Sequence, residues 1–245
     1  MNTVVSVSNF SLKLGDKQIV KELNFEVKKG EVFAFLGANG SGKTSTIRSL
    51  LNIYEPTSGE LLINGKPYSA DRATVVGYLP EERGLYTRIS AIDNLVYFGE
   101  MKGLTRADAR EKGMAFLEEV GLGDKANLKL KKLSGGQQQK VQLGVAIMGD
   151  PDLLILDEPT KGLDPINRKL LLDIVDEHQR NGAAVIYVTH LMEEVERLAD
   201  RLLILKDGEA KAYGTVAEVK KQLNVKTIEE AFVTIYSDDK ENKNV

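Results

Sequence analysis

Val32-Phe-Ala-Phe-Leu36, running into Gly37-Ala-Asn-Gly-Ser-Gly42-Lys43-Thr44, is the stretch on which the reading of this chain turns. Its continuous apolar run stops at a glycine, which predicts a strand buried on both faces. Ile47, Leu50 and Leu51 then share one face of a helix expected from near Lys43 to about Ile53. Between strand and helix lies a glycine, four residues, then Gly-Lys-Thr, the pattern of a phosphate-binding loop. Phosphate oxygens need several backbone N–H groups converging on one point, and side chains would obstruct that approach. Gly37, Gly40 and Gly42 clear the space and permit positive φ. The following helix start adds about half a positive charge. Lys43 supplies a full charge to the β- and γ-phosphates, and the Thr44 hydroxyl is placed for Mg²⁺. A glycine-rich turn with an incidental lysine is the alternative; Lys43 and Thr44 falling together in register weigh against it.

On either side of this stretch the pattern is α/β. Val4–Val7 and Ile19–Val27 alternate as antiparallel strands joined around Gly15-Asp16, and Glu60–Ile63 and Val75–Leu79 read as further strands. The middle differs: Ala91–Met101 and Arg106–Val120 are helical by periodicity, with Gly103 and Gly121 as stops, and another helix covers about Gly136–Met148. This block reads as a helical subdomain inserted into the core. Strand Leu153–Leu156, helix Ile166–Arg180, strand Ala184–Val188, helix Met192–Ala199 and strand Leu202–Leu205 then alternate, which indicates βαβ units and a parallel sheet. Thr227–Tyr236 is one amphipathic segment expected to pack on the core, and 237–245 is a polar stretch expected to fray.

Composition narrows the function. The 245 residues are 42% apolar, enough for a sizeable core, and the formal net charge of −3 argues against a general nucleic-acid binder. There is no cysteine, which excludes disulfides and thiolate metal sites and fits a reducing compartment. No signal peptide is apparent, and no apolar stretch approaches the roughly 18 residues needed to span a bilayer. Any membrane contact is therefore expected through a partner.

Leu153-Leu-Ile-Leu156-Asp157-Glu158 delivers two carboxylates at a strand's C-terminal end, where ligands bind in open α/β sheets. Asp157 would hold Mg²⁺ through water, and Glu158 would accept a proton from the attacking water, a role worth roughly 10²–10⁴-fold in rate. His190 follows the strand Ala184–Val188, where a neutral imidazole could hydrogen-bond the γ-phosphate and orient the water. The other histidine, His178, is expected to be solvated on a polar helix face. Leu133-Ser134-Gly135-Gly136-Gln137 opens a helix with two glycines, a second anion-binding end exposing the Ser134 hydroxyl and the Gly135 and Gly136 amides. One nucleotide rarely needs two cradles in one chain, so the economical reading assigns this one to the γ-phosphate held by a neighbouring chain.

The series Gly37–Thr44, Leu133–Gln137, Leu153–Glu158, Gly162-Leu-Asp164 and His190 resembles the nucleotide-binding subunit of ATP-binding-cassette (ABC) transporters, in that family's order and over about Val4 to Tyr213. The resemblance implies a P-loop NTPase: a mixed, largely parallel core sheet, an N-terminal antiparallel β subdomain and an inserted α-helical subdomain. It implies one domain over 1–236, with core 1–88 and 150–214, helical subdomain 89–149 and C-terminal appendage 215–236. ATP and Mg²⁺ are the implied cofactors. Gly37, Asn39, Gly40, Ser41, Gly42, Lys43, Thr44 and Ser45 would bind ATP, with Lys43, Glu158 and His190 catalytic, and Thr44, Asp157 and Glu81 toward the metal. Ser134, Gly135, Gly136 and Gln137 would act in trans, and Asp164 would link the sites across a head-to-tail dimer of like or unlike ATPase subunits, each Ser134 opposite the other chain's Lys43. A separate transmembrane permease is the implied partner, no nucleic acid is expected, and the subunit would sit on the cytoplasmic face of the membrane.

Two departures stand out. Leu14 occupies the position where the family often has an aromatic residue against adenine, so stacking is weaker or comes from elsewhere, with Phe10 a candidate. Glu81 follows Gly77-Tyr78-Leu-Pro80 where glutamine is usual, adding a negative charge near the phosphates. The wording Pro80-Glu-Glu-Arg-Gly-Leu-Tyr86 is similar to ATPases of sodium- or drug-export type bacterial transporters. A soluble ABC ATPase acting on DNA or ribosomes is the competing class. DNA-acting members carry long coiled coils between loop and signature, whereas here 97 positions separate Gly37 from Ser134, and ribosome-acting members usually carry two cassettes where this sequence has one. A small-molecule kinase would leave the Ser134 cradle without a purpose.

Overall fold

The computed structural model describes residues 2–82 and 84–241. Strands β1 (Thr3–Leu14) and β2 (Lys17–Lys28) pair antiparallel across the turn at Gly15. Both run longer than their alternation suggested. In β1 the ladder shifts register between Val7 and Phe10, where Asn9 takes φ 50, so the period-two pattern breaks while the pairing continues. Strand β3 (Val32–Leu36) is buried at every residue, as its unbroken apolar run requires. Helix α1 (Lys43–Leu50) stops before the expected Ile53. The Ile53 and Tyr54 amides both turn back onto the Arg48 carbonyl, Asn52 is left-handed, and Ile53 is left 60% exposed. Strand β4 (Ser58–Ile63) pairs with the other edge of β1, giving an antiparallel sheet in the order β2-β1-β4.

Residues Ala70–Ala183 form one of two compact units; the flanking segments form the other. Within it, β5 (Val76–Leu79) is followed by the helices α2 (Ala91–Met101), α3 (Arg106–Glu119) and α4 (Gly135–Ile147). Ser90, Thr105 and Ser134 each cap a helix by accepting from the amide three residues on, satisfying a donor that the first turn otherwise orphans. Strand β6 (Leu153–Asp157) pairs parallel with β5, and α5 (Pro165–Arg180) starts from an Asp164 cap with proline at its first turn. Gly77 lets α4 lie on β5: a Cβ there would stand 2.1 Å from the Ala146 carbonyl oxygen. His178, expected in solvent, is half-buried beside Phe116, Met148 and Asp150, and burial lowers its pKa. Its helix face packs inward because Leu171, Leu172, Ile174 and Val175 bury the adjoining stripe.

The chain then returns to the first unit. Strand β7 (Ala184–Val188) pairs parallel with one side of β3, and after α6 (Met192–Leu198) strand β8 (Arg201–Lys206) pairs parallel with the other. Strand β9 (Glu209–Thr215) adds antiparallel to β8, and α7 (Val216–Gln222) and α8 (Ile228–Glu241) follow. Nothing in Glu-Ala-Lys-Ala-Tyr-Gly-Thr alternates cleanly enough to announce β9, whose hydrogen bonds come from β8. The amphipathic segment from Thr227 does pack on the core: Ile228, Ala231 and Ile235 join Ala34, Leu36, Leu202 and Ile204 in one buried cluster. Helix α8 continues through the start of the stretch expected to fray, because extending a formed helix adds one hydrogen bond per residue fixed. The rest of that stretch, 242–245, lies outside the described residues, as does Arg83 in the Pro80–Tyr86 segment.

Candidate functional site

The glycine loop occupies the C-terminal end of β3 and leads into α1. Gly42 caps α1 at φ 111, and a Cβ on it would press within 3.1 Å of the Ile19 carbonyl oxygen and Val20. On Gly37 it would lie 2.4 Å from Ser41 Oγ and 2.6 Å from the Leu205 carbonyl oxygen. These positions therefore admit only glycine, as a loop that turns backbone N–H groups toward a phosphate requires. Lys43 Nζ folds back over it, donating to the Gly37 carbonyl at 2.7 Å and the Ala38 carbonyl at 3.1 Å. Thr46 is fully buried, its hydroxyl on the Gly42 carbonyl. Because β7 runs parallel beside β3, with Phe35 opposite Val188, Thr189 and His190 emerge at the same end of the sheet as the loop. His190 is exposed, whereas Thr189 is buried and bonds Glu194, as does Tyr187. Phe10, the sequence candidate for stacking on a base, is fully buried in the sheet and offers no face; Leu14 is 42% exposed.

In the other unit, β5 and β6 end side by side, so their parallel register places Pro80-Glu81 next to Asp157-Glu158. Asp157 is buried at the strand's last position, and Glu158 beyond it is half-buried and left-handed at φ 50. Glu81 is not a lone carboxylate: Lys161 Nζ meets Glu81 Oε1 at 2.7 Å. That hydrogen bond and charge raise the Lys161 pKa, with Glu158 and Asp157 adding to the effect. Sequence reasoning did not reach Lys161, since nothing local links positions 81 and 161.

Helix α4 begins with a capping box. Ser134 Oγ accepts from the Gln137 amide at 3.3 Å and Gln137 Oε1 accepts from the Ser134 amide at 3.0 Å. Ser134 and Gly135 remain exposed. They open onto a polar depression of about 540 Å³ that also reaches Gln137, Lys140, Asp164 and Asn167. Asp164 accepts from the Asn167 amide and side chain, which hold its carboxyl below the usual range. Two further glutamines of α4 were also missed. Gln139 Nε2 donates to the Pro159 carbonyl and Gln142 Nε2 to the Pro80 carbonyl, both at 2.9 Å. One helix thus fastens the loops carrying Glu158 and Glu81. The cluster of glutamines after Gly136 was the available signal.

The donor set suits a nucleotide with Mg²⁺. Among the described residues no group of three or more His, Cys, Asp or Glu gathers to enclose a metal. Thr44 in one unit offers a hydroxyl and Asp157 in the other a carboxylate, each a hard oxygen donor of a kind Mg²⁺ accepts.

Residues 20–161 match the ABC transporter family. The chain is 41% identical over 223 residues to an uncharacterized ABC transporter ATP-binding protein of Methanocaldococcus jannaschii, covering 91% of this chain and 82% of that one. It is 38% identical over 228 residues to the linearmycin resistance ATP-binding protein of Bacillus subtilis, covering 92% and 73%. A solved structure described as an ATP-binding subunit of an ABC transporter superposes with a TM-score of 0.90 at 29% identity, covering 96% of this chain and all of that one. The glycine loop, the paired carboxylates and the Ser-Gly-Gly helix start therefore sit in a P-loop NTPase fold. No helix among the described residues is long and apolar enough to cross a membrane. The chain belongs to the ABC transporter family, as an ATP-binding subunit that hydrolyses ATP.

Proposed function

We propose that two such subunits close head to tail on ATP and reopen after hydrolysis, powering an exporter through a separate transmembrane permease on the cytoplasmic face of the membrane. The observation that carries this reading is the helix start with Ser134 and Gly135 exposed, which opens a polar depression beside Asp164 in a chain that already has a glycine cradle at Lys43. The second subunit is a like or unlike ATPase chain, and no nucleic acid is required. Export is supported by relatives named for linearmycin resistance and for Nod factor export.

In this scheme Lys43, seated on the Gly37 and Ala38 carbonyls, reaches from there to the β- and γ-phosphates, and the amides of Asn39 through Ser45 cradle them. Thr44 and Asp157 would hold Mg²⁺, with Glu81 toward its water shell; the ion, when bound, neutralises charge on the phosphates. Glu158 takes the proton of the attacking water and His190 orients that water against the γ-phosphate. Ser134, Gly135, Gly136 and Gln137 meet the same phosphate from the opposing subunit, and Asp164 links the two sites. A ligand shifts an open–closed equilibrium only through differential affinity, and a phosphate gripped from both sides supplies it.

Glu158→Gln tests the scheme. With ATP and Mg²⁺ the variant should elute as a stable dimer in size-exclusion chromatography, with turnover reduced by roughly 10²-fold or more. A variant that stays monomeric with ATP, or turns over normally, rules the scheme out.

A further inference from the structure

The nucleotide loop is held from outside by helix α8. Tyr236, on α8, has its hydroxyl 2.8 Å from the Ala38 amide, which donates to it, and donates in turn to the Leu205 carbonyl at 2.6 Å. Ala38 N–H belongs to the Gly37–Ala38 peptide group, and the carbonyl of that same group receives Lys43 Nζ at 2.7 Å. A trans peptide is planar, so its N–H and C=O point in opposite directions and cannot reorient separately. Holding one end at Tyr236 therefore fixes the aim of the other toward Lys43. The Ala38 carbonyl is likewise engaged, by Lys43 at 3.1 Å and by the Ser41 amide at 3.1 Å.

The anchor is itself well seated. Phe232 stacks on the Tyr236 ring at 4.4 Å, and Ile228, Ala231 and Ile235 bury the same helix face in the core. Lys206, buried at the end of β8, donates to the Ile235 carbonyl at 2.8 Å and lies 5.6 Å from the Tyr236 ring centroid. Glu196 accepts from the Ile228 amide at the helix start and pairs with Lys220 at 2.9 Å. With the ring and its helix held in this way, the position of the hydroxyl relative to the loop is set by the fold.

We infer that Tyr236 is a positioning residue for nucleotide binding: α8 presets the Gly37–Ala38 peptide, and through it Lys43, in the geometry that receives phosphate. The inference rests on the reading that Lys43 and its loop bind the nucleotide.

The test uses the full chain with a fluorescent ATP analogue and Mg²⁺. Tyr236→Phe keeps the ring and its stacking and removes only the hydroxyl. A lost hydrogen bond of ordinary strength corresponds to a roughly three- to tenfold weaker affinity. Together with it, exchange of the Ala38 amide in hydrogen–deuterium exchange should accelerate. The exposed neighbour Val233→Ala, also on α8, should leave both readouts unchanged. Lys43→Ala separates the two levels: if it does not weaken nucleotide binding, the reading of the loop is wrong. If Lys43→Ala weakens binding but Tyr236→Phe leaves affinity unchanged while lowering only the melting temperature, the tyrosine is merely structural and the inference is overturned. Should Tyr236→Phe fail to fold, the wild-type chain still decides. A nucleotide-free Ala38 amide exchanging as fast as an exposed loop refutes the anchor, and a protected one supports it.

Discussion

Glu158 is a glutamate in the left-handed region, at φ 50, directly after the strand that buries Asp157. A side chain bearing a Cβ adopts that conformation at roughly 1–2 kcal/mol, and such strain persists where the surroundings impose it. Asparagine tolerates the region better. Glu158→Asn should therefore melt at or above the wild-type temperature, gaining up to ~1 kcal/mol, while ATP hydrolysis falls by roughly 10²-fold or more. Thermal denaturation with a phosphate-release assay checks both, and a variant that loses stability removes the claim of strain. The Glu81–Lys161 pair makes a different kind of prediction. Both side chains are about half exposed, so Lys161→Ala should leave the melting temperature nearly unchanged. It does unmask the Glu81 charge beside Asp157 and Glu158. Turnover should fall several-fold, and the loss should shrink in a Glu81→Gln background; equal losses in both backgrounds would mean that Lys161 acts without Glu81. That Asp157 and Glu158 end a buried strand was readable from the sequence, because strand and carboxylates are adjacent in it. Lys161 was not, because its partner lies 80 positions away.

Helix α4 shows how one element serves several loops. Its start was legible from Ser134-Gly-Gly-Gln, and the capping box explains that wording locally. Its glutamines were not legible as fasteners, since Gln139 and Gln142 bond carbonyls of Pro159 and Pro80, supplied by loops remote in sequence. The far end of α4 is held by Lys102, whose ammonium donates to the Val145 carbonyl at 3.3 Å and the Ala146 carbonyl at 2.7 Å. Burial lowers the Lys102 pKa from 10.5 to about 8, against a smaller opposing effect of Asp150. Below about 8 the folded and unfolded chains both carry this proton. Between about 8 and 10.5 the unfolded chain binds more protons, so this lysine's contribution to stability rises with pH across that window. The rise is on the order of 2–3 kcal/mol. Urea denaturation at the two ends of the window, set against Lys102→Met, measures it. Parallel pH profiles for the two proteins would show that Lys102 titrates normally.

For the molecule as a working assembly, the head-to-tail scheme makes a prediction that no single-chain reading makes. Lys43→Ala and Ser134→Arg should each abolish hydrolysis alone. A mixture of the two should recover about a quarter of wild-type activity or less, because a mixed pair rebuilds one site from the intact Lys43 of one chain and the intact Ser134 of the other. Activity that stays at zero on mixing, in chains shown to co-elute with ATP, would place both groups in one subunit's site. The strand–loop–helix cradle, the carboxylate strand and the Ser-Gly-Gly helix start could all be read from residue order, since each depends on groups within a few positions of one another and on periodicities of two and 3.6. The extra length of β1 through a bulge, the edge strand β9, the burial of Phe10, the Glu81–Lys161 pair and the Tyr236 anchor could not. Each of these depends on a hydrogen bond, a charge or a packing surface contributed by a distant segment. A one-dimensional pattern records what a residue offers; it does not record which remote group folding brings to meet it.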